Sequence, residues 1–264
     1  MTNIHPMAYV EKGAQIASTA EIGPFCTVSK NAVIGEGVRL LASVHVMGRT
    51  TIGDNTVVFP GAVLGAGPQD RGNEFCDGAL IVGKNNIIKE NVTMQVGTPK
   101  ERLLTVVGDN SLFMVNCHIA HDCVVGNGVI LANNAIMGGH VHIGDGAVLG
   151  GNCGIHQFVH IGKKAMIGGL TGVARDVIPY GMVTGDRASL RGLNVVGLQR
   201  MGVDEATIKR MMRAYMFLFK GKEGTFEERL ADAHEKYKDE PMVMEQIKFI
   251  DESLGGRRNL LVAD

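Results

Sequence analysis

Aliphatic residues recur at every sixth position over most of this chain. Stepping by six from Ile4 meets Val10, Ile16, Ile22, Val28, Ile34, Leu40, Val46, Ile52, Val58 and Leu64. The register resumes at Val82, Ile88 and Met94, slips by one residue, and runs from Val107 through Phe113, Ile119, Val125 and Leu131 to Val173. Gly often follows the aliphatic residue, as in Ile22-Gly23, Ile52-Gly53 and Val125-Gly126. A small or β-branched residue tends to stand four positions after it. A period of six suits neither a helix at 3.6 nor a long strand alternating at 2. It predicts a short strand and a tight turn, repeated, with one large side chain per hexad pointing inward and Gly allowing positive φ in the turn. Three hexads close a triangular coil of 18 residues, and coils stack at the usual strand spacing of about 4.8 Å.

This repeat resembles the hexapeptide-repeat family of left-handed parallel β-helices. The hand comes from that resemblance, because general crossover preferences favour the right. The expected fold is an all-β left-handed parallel β-helix over residues 1–188 and a small α-helical C-terminal domain over 189–264. Nine to ten coils give a prism roughly 45 Å long. Two polar segments, 65–78 and 96–102, interrupt the repeat. A solenoid admits insertions as loops leaving a corner, and such loops are usually functional; the plain alternative is an inherited scar. Pro179 is expected to end the repeat. Beyond it Asp204 is a candidate helix cap, Thr225-Phe226-Glu227-Glu228 reads as a capping box, and Pro241 suits a first helical turn. The Met-rich stripes of these helices read as core filler that covers the open end of the solenoid.

Composition divides at the same place. Residues 1–188 hold 29 of the 36 glycines and 27 of the 53 charged residues. With 26 basic against 27 acidic side chains, a basic nucleic-acid surface is not expected. No apolar run approaches the roughly 18 residues of a membrane span, and the start of the chain lacks the basic and apolar regions of a signal peptide. The cysteines, Cys26, Cys76, Cys117, Cys123 and Cys153, are odd in number and form no CxxC pair. That usage fits reduced thiols in a cytoplasmic protein.

Some polar residues are not needed by the repeat. Six of the nine histidines, His118, His121, His140, His142, His156 and His160, lie within one stretch. With 18 residues per coil, His121, Gly139 and Gln157 share a column. Asp122 and His140 share the next, and Gly138 and His156 the one before. His142 and His160 also stack, at an expected turn position, and read as a solvated ladder. A neutral imidazole is a base near pH 7, a carboxylate orients it, and a Gly N–H stabilises an oxyanion. Such a set suits acyl transfer from a thioester to a hydroxyl by direct attack. The plain alternative is hydrogen-bonded filler on an outer face.

The run Asn116-Cys117-His118-Ile119-Ala120-His121-Asp122-Cys123, with Leu131-Ala132-Asn133-Asn134-Ala135, Gly139-His140, His156-Gln157-Phe158 and Gly197-Leu198-Gln199-Arg200, resembles the UDP-N-acetylglucosamine O-acyltransferase family. The resemblance implies a homotrimer with sites between prisms, a 3-hydroxyacyl acyl carrier protein as donor, UDP-N-acetylglucosamine as acceptor, no cofactor or metal, and the first step of lipid A biosynthesis. It implies that His121 is the general base, that Asp122 orients it, and that the Gly139 amide faces the oxyanion. His118, His140, His156 and Gln157 would hold substrate, Asp70 would reach the sugar from a neighbouring subunit, and Asn194 and Arg200 would reach the nucleotide. Gly169 resembles the residue that limits acyl-chain depth.

Two departures stand out: Gly72 where the family often has Lys, and Gln95-Val96 where it often has His-Arg. They leave open a 3-amino sugar as acceptor. A zinc site of His118, His121 and His140, as in carbonic anhydrases of this repeat fold, and a non-catalytic scaffold are the other readings. A basic docking surface for the acidic carrier would use Lys209, Arg210, Arg213, Lys220 and Lys222, unless these form a plain solvated helix face.

Overall fold

The structure, a computed structural model, describes residues 3–255 and 260–261. Each hexad forms a strand, mostly of two residues, in which the periodic aliphatic side chain is buried inside and its predecessor faces out, as at Thr27–Val28 and Ile130–Leu131. Three parallel sheets make the three faces of a prism. The first face begins with Asn3–Ile4, the second with Tyr9–Val10 and the third with Gln15–Ile16. Partners stand 18 residues apart, as in Ile22↔Leu40 and Ile119↔Met137. The expected left-handed β-helix with a helical C-terminal region is the fold found.

Both interruptions leave the same corner, between the second and third faces, in consecutive coils. Ile52 pairs with Val82 and Val82 with Val107. The first loop therefore adds twelve residues to a coil and the second adds seven, and the seventh is the one-residue slip in the sequence.

The interior alternates the large aliphatics with small residues such as Ala62, Ala135, Cys117 and Cys153, all buried. One polar stack within it is satisfied: the Asn86 side chain donates to Gly108 O at 2.9 Å and accepts from Ser111 N–H at 2.8 Å. The expectation for glycine needs correction. Positive φ is found at the turn glycines Gly37, Gly61, Gly128 and Gly146, but not at Gly23, Gly53 or Gly126, which directly follow the aliphatic residue. Other left-handed turn positions are taken by Asn116, Asn134 and Asn152, whose short side chains tolerate that conformation and form an amide ladder at 3.2 and 3.1 Å. Gly23 serves close approach instead, because a Cβ there would meet the Leu41 carbonyl oxygen of the next coil at 1.5 Å.

Pro179 does not end the repeat. It sits in the last corner, and Gly181–Thr184 continues the first face in parallel before Ser189–Leu193 turns back antiparallel. The strands thus extend five residues past the expected boundary at 188. The helices α1 (Val195–Arg200), α2 (Glu205–Lys220), α3 (Phe226–Lys236) and α4 (Pro241–Leu254) follow. Asp204 caps α2, Thr225 and Glu228 form the capping box of α3, and Pro241 opens α4. The helices are tied to the last coil through buried polar contacts. Gln246 donates to Pro179 O at 2.9 Å, Ser253 donates to Asp176 Oδ2 at 2.8 Å, and the Tyr180 hydroxyl donates to Glu245. Among the described residues no helix is long and apolar enough to cross a membrane.

Candidate active site

The corner between the second and third faces carries the columns that the sequence arithmetic brings together. His121 lies outside the coil interior yet is buried, with a side chain 9% exposed. The second loop and the next coil cover it. Its Nδ1 lies 2.9 Å from Asp122 Oδ2. Asp122 is fully buried, in a left-handed conformation with φ 59°. Its carboxylate also accepts from the Thr98 N–H, at 2.9 Å on Oδ1 and 3.1 Å on Oδ2, and from the Thr98 hydroxyl at 2.6 Å on Oδ2. A buried anion needs such partners, since desolvating it alone is costly.

One coil on, Gly139 touches the His121 ring. A Cβ at residue 139 would fall 2.4 Å from His121 Cε1 and 2.6 Å from Nε2. Among the described residues no backbone carbonyl accepts from the Gly139 N–H. His140 packs edge-on to His121, with centroids 5.1 Å apart, and stacks on Phe158 at 4.6 Å. Its Nε2 is 3.8 Å from Asp122 Oδ2, and its Nδ1 is 3.5 Å from Glu101. His118 faces out from the second face with Nδ1 2.7 Å from Thr93 Oγ1. Burial, and then the neighbouring His121, hold its imidazole below the ordinary value.

These side chains border three cavities, of which two include His121; the other, of about 620 Å³, is lined by His140, Phe158, His142, His160 and Arg175. A groove of about 640 Å³ runs along the second face past His118, His121, Gly139, His156 and Gln157. Its floor is apolar where Ile136 faces out, and is cut low by Gly154 and Gly172. A second cavity of about 350 Å³ joins Asp70, Lys100, Glu101, His121, His140 and Gln157. Asp70 therefore lies beside His121 of its own chain, which the expectation of a neighbouring subunit did not include. Lys100 at 2.8 Å and Asn73 at 2.6 Å hold its carboxyl below the ordinary value. Lys100, from the second loop, is the cation paired with Asp70.

Other expected residues stand apart in the single chain. Asn194 is at the corner between the third and first faces, and Arg200 is the last residue of α1, which Asn194 caps. Asn194 donates to Lys164 O at 3.0 Å and accepts from Gly197 N–H at 3.0 Å. Gly169 is exposed on the corner between the first and second faces and does not line the groove. His142 and His160 stack at 4.1 Å as a ladder, but in strands of the third face rather than in a turn. Of the candidate basic residues, Lys209 pairs with Glu205 at 2.7 Å and Arg210 with Glu240 at 2.8 Å, within the helices.

The trihistidine reading finds no cluster of its own. Potential ligand atoms of His121, Asp122 and His140 lie within 4.8 Å of one another, and His118 is not among them. Asp122 there is already committed to Thr98 and His121. Three buried thiols of these coils, Cys117, Cys123 and Cys153, are not poised as nucleophiles. Burial pushes Cys117 and Cys153 up to about 11 and Cys123 up to about 12, far from the thiolate state that reaction requires. Sequence reasoning missed Thr98, Lys100 and the groove glycines 154 and 172. It noted Gln95 only as a departure. Gln95 is buried in the groove wall with its Oε1 unpartnered among the described residues, an acceptor for a substrate O–H or N–H.

Comparison with known proteins agrees with this geometry. The profile described as UDP-N-acetylglucosamine O-acyltransferase, domain 2, matches residues 176–259. The bacterial transferase hexapeptide profile matches 104–139. An acyl-[acyl-carrier-protein]–UDP-N-acetylglucosamine O-acyltransferase of Caulobacter vibrioides is 50% identical over 248 residues, covering 94% of each chain. That of Mesorhizobium japonicum is 49% identical over 261 residues, covering 99% of this chain and 92% of the relative. Among solved structures, the UDP-N-acetylglucosamine O-acyltransferase of Moraxella catarrhalis is 38% identical, with a TM-score of 0.93 over 98% of this chain and 99% of its own. An Arabidopsis UDP-N-acetylglucosamine acyltransferase reaches 0.88 at 34% identity, over 98% of this chain and 99% of its own. Identity near one half along almost the whole length, on the same coil and the same helical tail, means that this chain belongs to the UDP-N-acetylglucosamine O-acyltransferase family.

Proposed function

We propose that this enzyme moves a 3-hydroxyacyl group from acyl carrier protein to the 3-hydroxyl of UDP-N-acetylglucosamine, the opening reaction of lipid A biosynthesis, in the cytoplasm. The observation that carries the mechanism is the buried His121–Asp122 pair against Gly139 at the mouth of an apolar groove. Asp122 accepts from His121 Nδ1–H and leaves Nε2 as the base. Nε2 takes the proton of the sugar hydroxyl as its oxygen attacks the thioester carbonyl. The oxyanion forms toward the Gly139 N–H. When the tetrahedral species collapses, the C–S bond breaks and the proton passes from His121 to the departing thiolate. No protein nucleophile is needed, consistent with burial holding Cys117, Cys123 and Cys153 in the thiol form. His118, His156 and Gln157 border the sugar nucleotide, His140 backs the His121 ring, and Asp70, held by Lys100, contacts the sugar.

The direct assay incubates the protein with UDP-N-acetylglucosamine, or its 3-amino analogue, and a panel of acyl carrier proteins, and reads product masses. An O-linked 3-hydroxyacyl product is expected. Transfer only to the 3-amino sugar would replace the acceptor, and no transfer to either would reject the reading.

The acyl chain is assigned to the floor of the groove. Gly154 faces open space, with nothing within 4 Å of an added Cβ. Gly154→Leu is therefore expected to fold normally and to shift the preferred donor to a shorter chain. Gly169→Met tests whether the chain runs on to the neighbouring corner. If both variants keep the parental chain-length profile, the groove is not the acyl site.

Assembly completes the reading. The outward residues of the first face, Val57, Ile87, Leu112, Ile130, Val148 and Met166, form one apolar column. We assign it to a closed threefold interface, in which Asn194 and Arg200 of one copy approach the nucleotide site of the next. Light scattering should give three times the 28.2 kDa chain mass. Val148→Glu should reduce it to the monomer, whereas an unchanged trimer would place the interface elsewhere.

A further inference from the structure

We propose that Thr98 is a positioning residue for the His121–Asp122 pair, and that delivering it is what the second loop contributes to the reaction. The inference rests on the assignment of His121 and Asp122 above. Thr98 is fully buried, with its main-chain N–H and its hydroxyl both directed at one carboxylate. Asp122 N–H in turn donates to the buried Thr105 hydroxyl at 2.8 Å. The side chain of Asp122 is thus pinned by Thr98 within the loop and its backbone by Thr105 just after it. A carboxylate held only by His121 could turn about its Cβ–Cγ bond. With Thr98 on both oxygens, Oδ2 stays aimed at Nδ1, which keeps the proton there and the lone pair on Nε2.

The loop is built to hold Thr98 still. Its carbonyl accepts from Glu101 and Leu103 N–H at 3.3 and 3.1 Å. Gly97 lets the chain double back, since a Cβ there would meet Leu104 N at 1.9 Å. The regular coils that follow have no such insertion, and the positions stacked on Asp122 are His140 and Phe158; the other buried aspartate past this corner, Asp176, is held instead by His160 N–H and the Ser253 hydroxyl. The insertion and the carboxylate it grips occur together.

The test uses Thr98→Val, Thr98→Ser, Asp122→Asn and the double variant Thr98→Val/Asp122→Asn in the full-length protein, with His121→Ala as a control. Removing one hydrogen bond to a charged group predicts a fall in kcat of about 10- to 100-fold for Thr98→Val, with KM for UDP-N-acetylglucosamine within about twofold. Ser, which restores the hydroxyl, should recover kcat to within about threefold of the parent. In the Asp122→Asn background the Val change should cost less than about threefold, because the carboxylate it positions is gone. If Thr98→Val is poorly folded, Thr98→Ala enters the same cycle. Parental kcat in Thr98→Val, no recovery with Ser, or the full Val penalty persisting in Asp122→Asn would each overturn the proposal. An active His121→Ala would instead reject the underlying site assignment.

Discussion

His121→Ala should lower kcat about a thousandfold and leave the fold intact. General base catalysis by a positioned side chain is worth about 10²- to 10⁴-fold, and neither His140 nor His118 is placed as His121 is. His140 lies behind the ring, with its Nε2 toward Asp122, and His118 has its Nδ1 on Thr93 and, among the described residues, no carboxylate beside it. The fold survives because the imidazole stands outside the coil interior, which Ile119, Cys123 and Met137 fill beneath it. Asp122 keeps its three contacts from Thr98, so the stability cost is about that of one lost hydrogen bond to a charged group, roughly 1.5–3 kcal/mol. Steady-state kinetics together with thermal unfolding followed by circular dichroism read both halves. A variant within tenfold of parental kcat would refute the assignment of the base.

Gly139→Ala should be nearly as damaging, for a steric reason. The added methyl would lie 2.4–2.9 Å from three atoms of the His121 ring, closer than packed atoms come. The backbone at 139 is fixed by its place in the coil, with the Gly139 carbonyl accepting from Phe158 N–H at 3.1 Å. The ring must therefore move. Misplacing a catalytic group by about an ångström costs about 10²-fold, and the hydrogen bond at 2.9 Å to Asp122 would be lengthened or lost. A crystal structure of the variant should find the imidazole rotated off Asp122, with kcat reduced about a hundredfold. Full activity with an undisturbed ring would mean that Gly139 is not in contact with the base.

Much of this was legible in the residues, for a physical reason. A solenoid turns sequence distance into spatial distance, so a count of 18 carries His121 onto Gly139 and Gln157 without any knowledge of side-chain packing. The same count fails where the repeat is broken. Nothing in Val96-Gly97-Thr98-Pro99-Lys100 indicates which residue will reach Asp122 and which Asp70, because an inserted loop has no period. Glycine was read for its φ when its missing Cβ mattered more: coils 4.8 Å apart leave no room for one at Gly23. Asn194 and Arg200 illustrate a third limit. Asn194 stands on a different corner from His121 and Arg200 follows it at the end of α1, and a single chain's arithmetic does not bring those corners together.

The most direct test of the account is the structure of the protein with the acylated UDP-sugar bound. The ester oxygen at sugar position 3 should lie within about 2.6–3.2 Å of His121 Nε2, with the ester carbonyl toward the Gly139 N–H and the acyl chain along the floor past Gly154. An ester seated against the stacked His142 and His160 of the third face, away from His121, would contradict it.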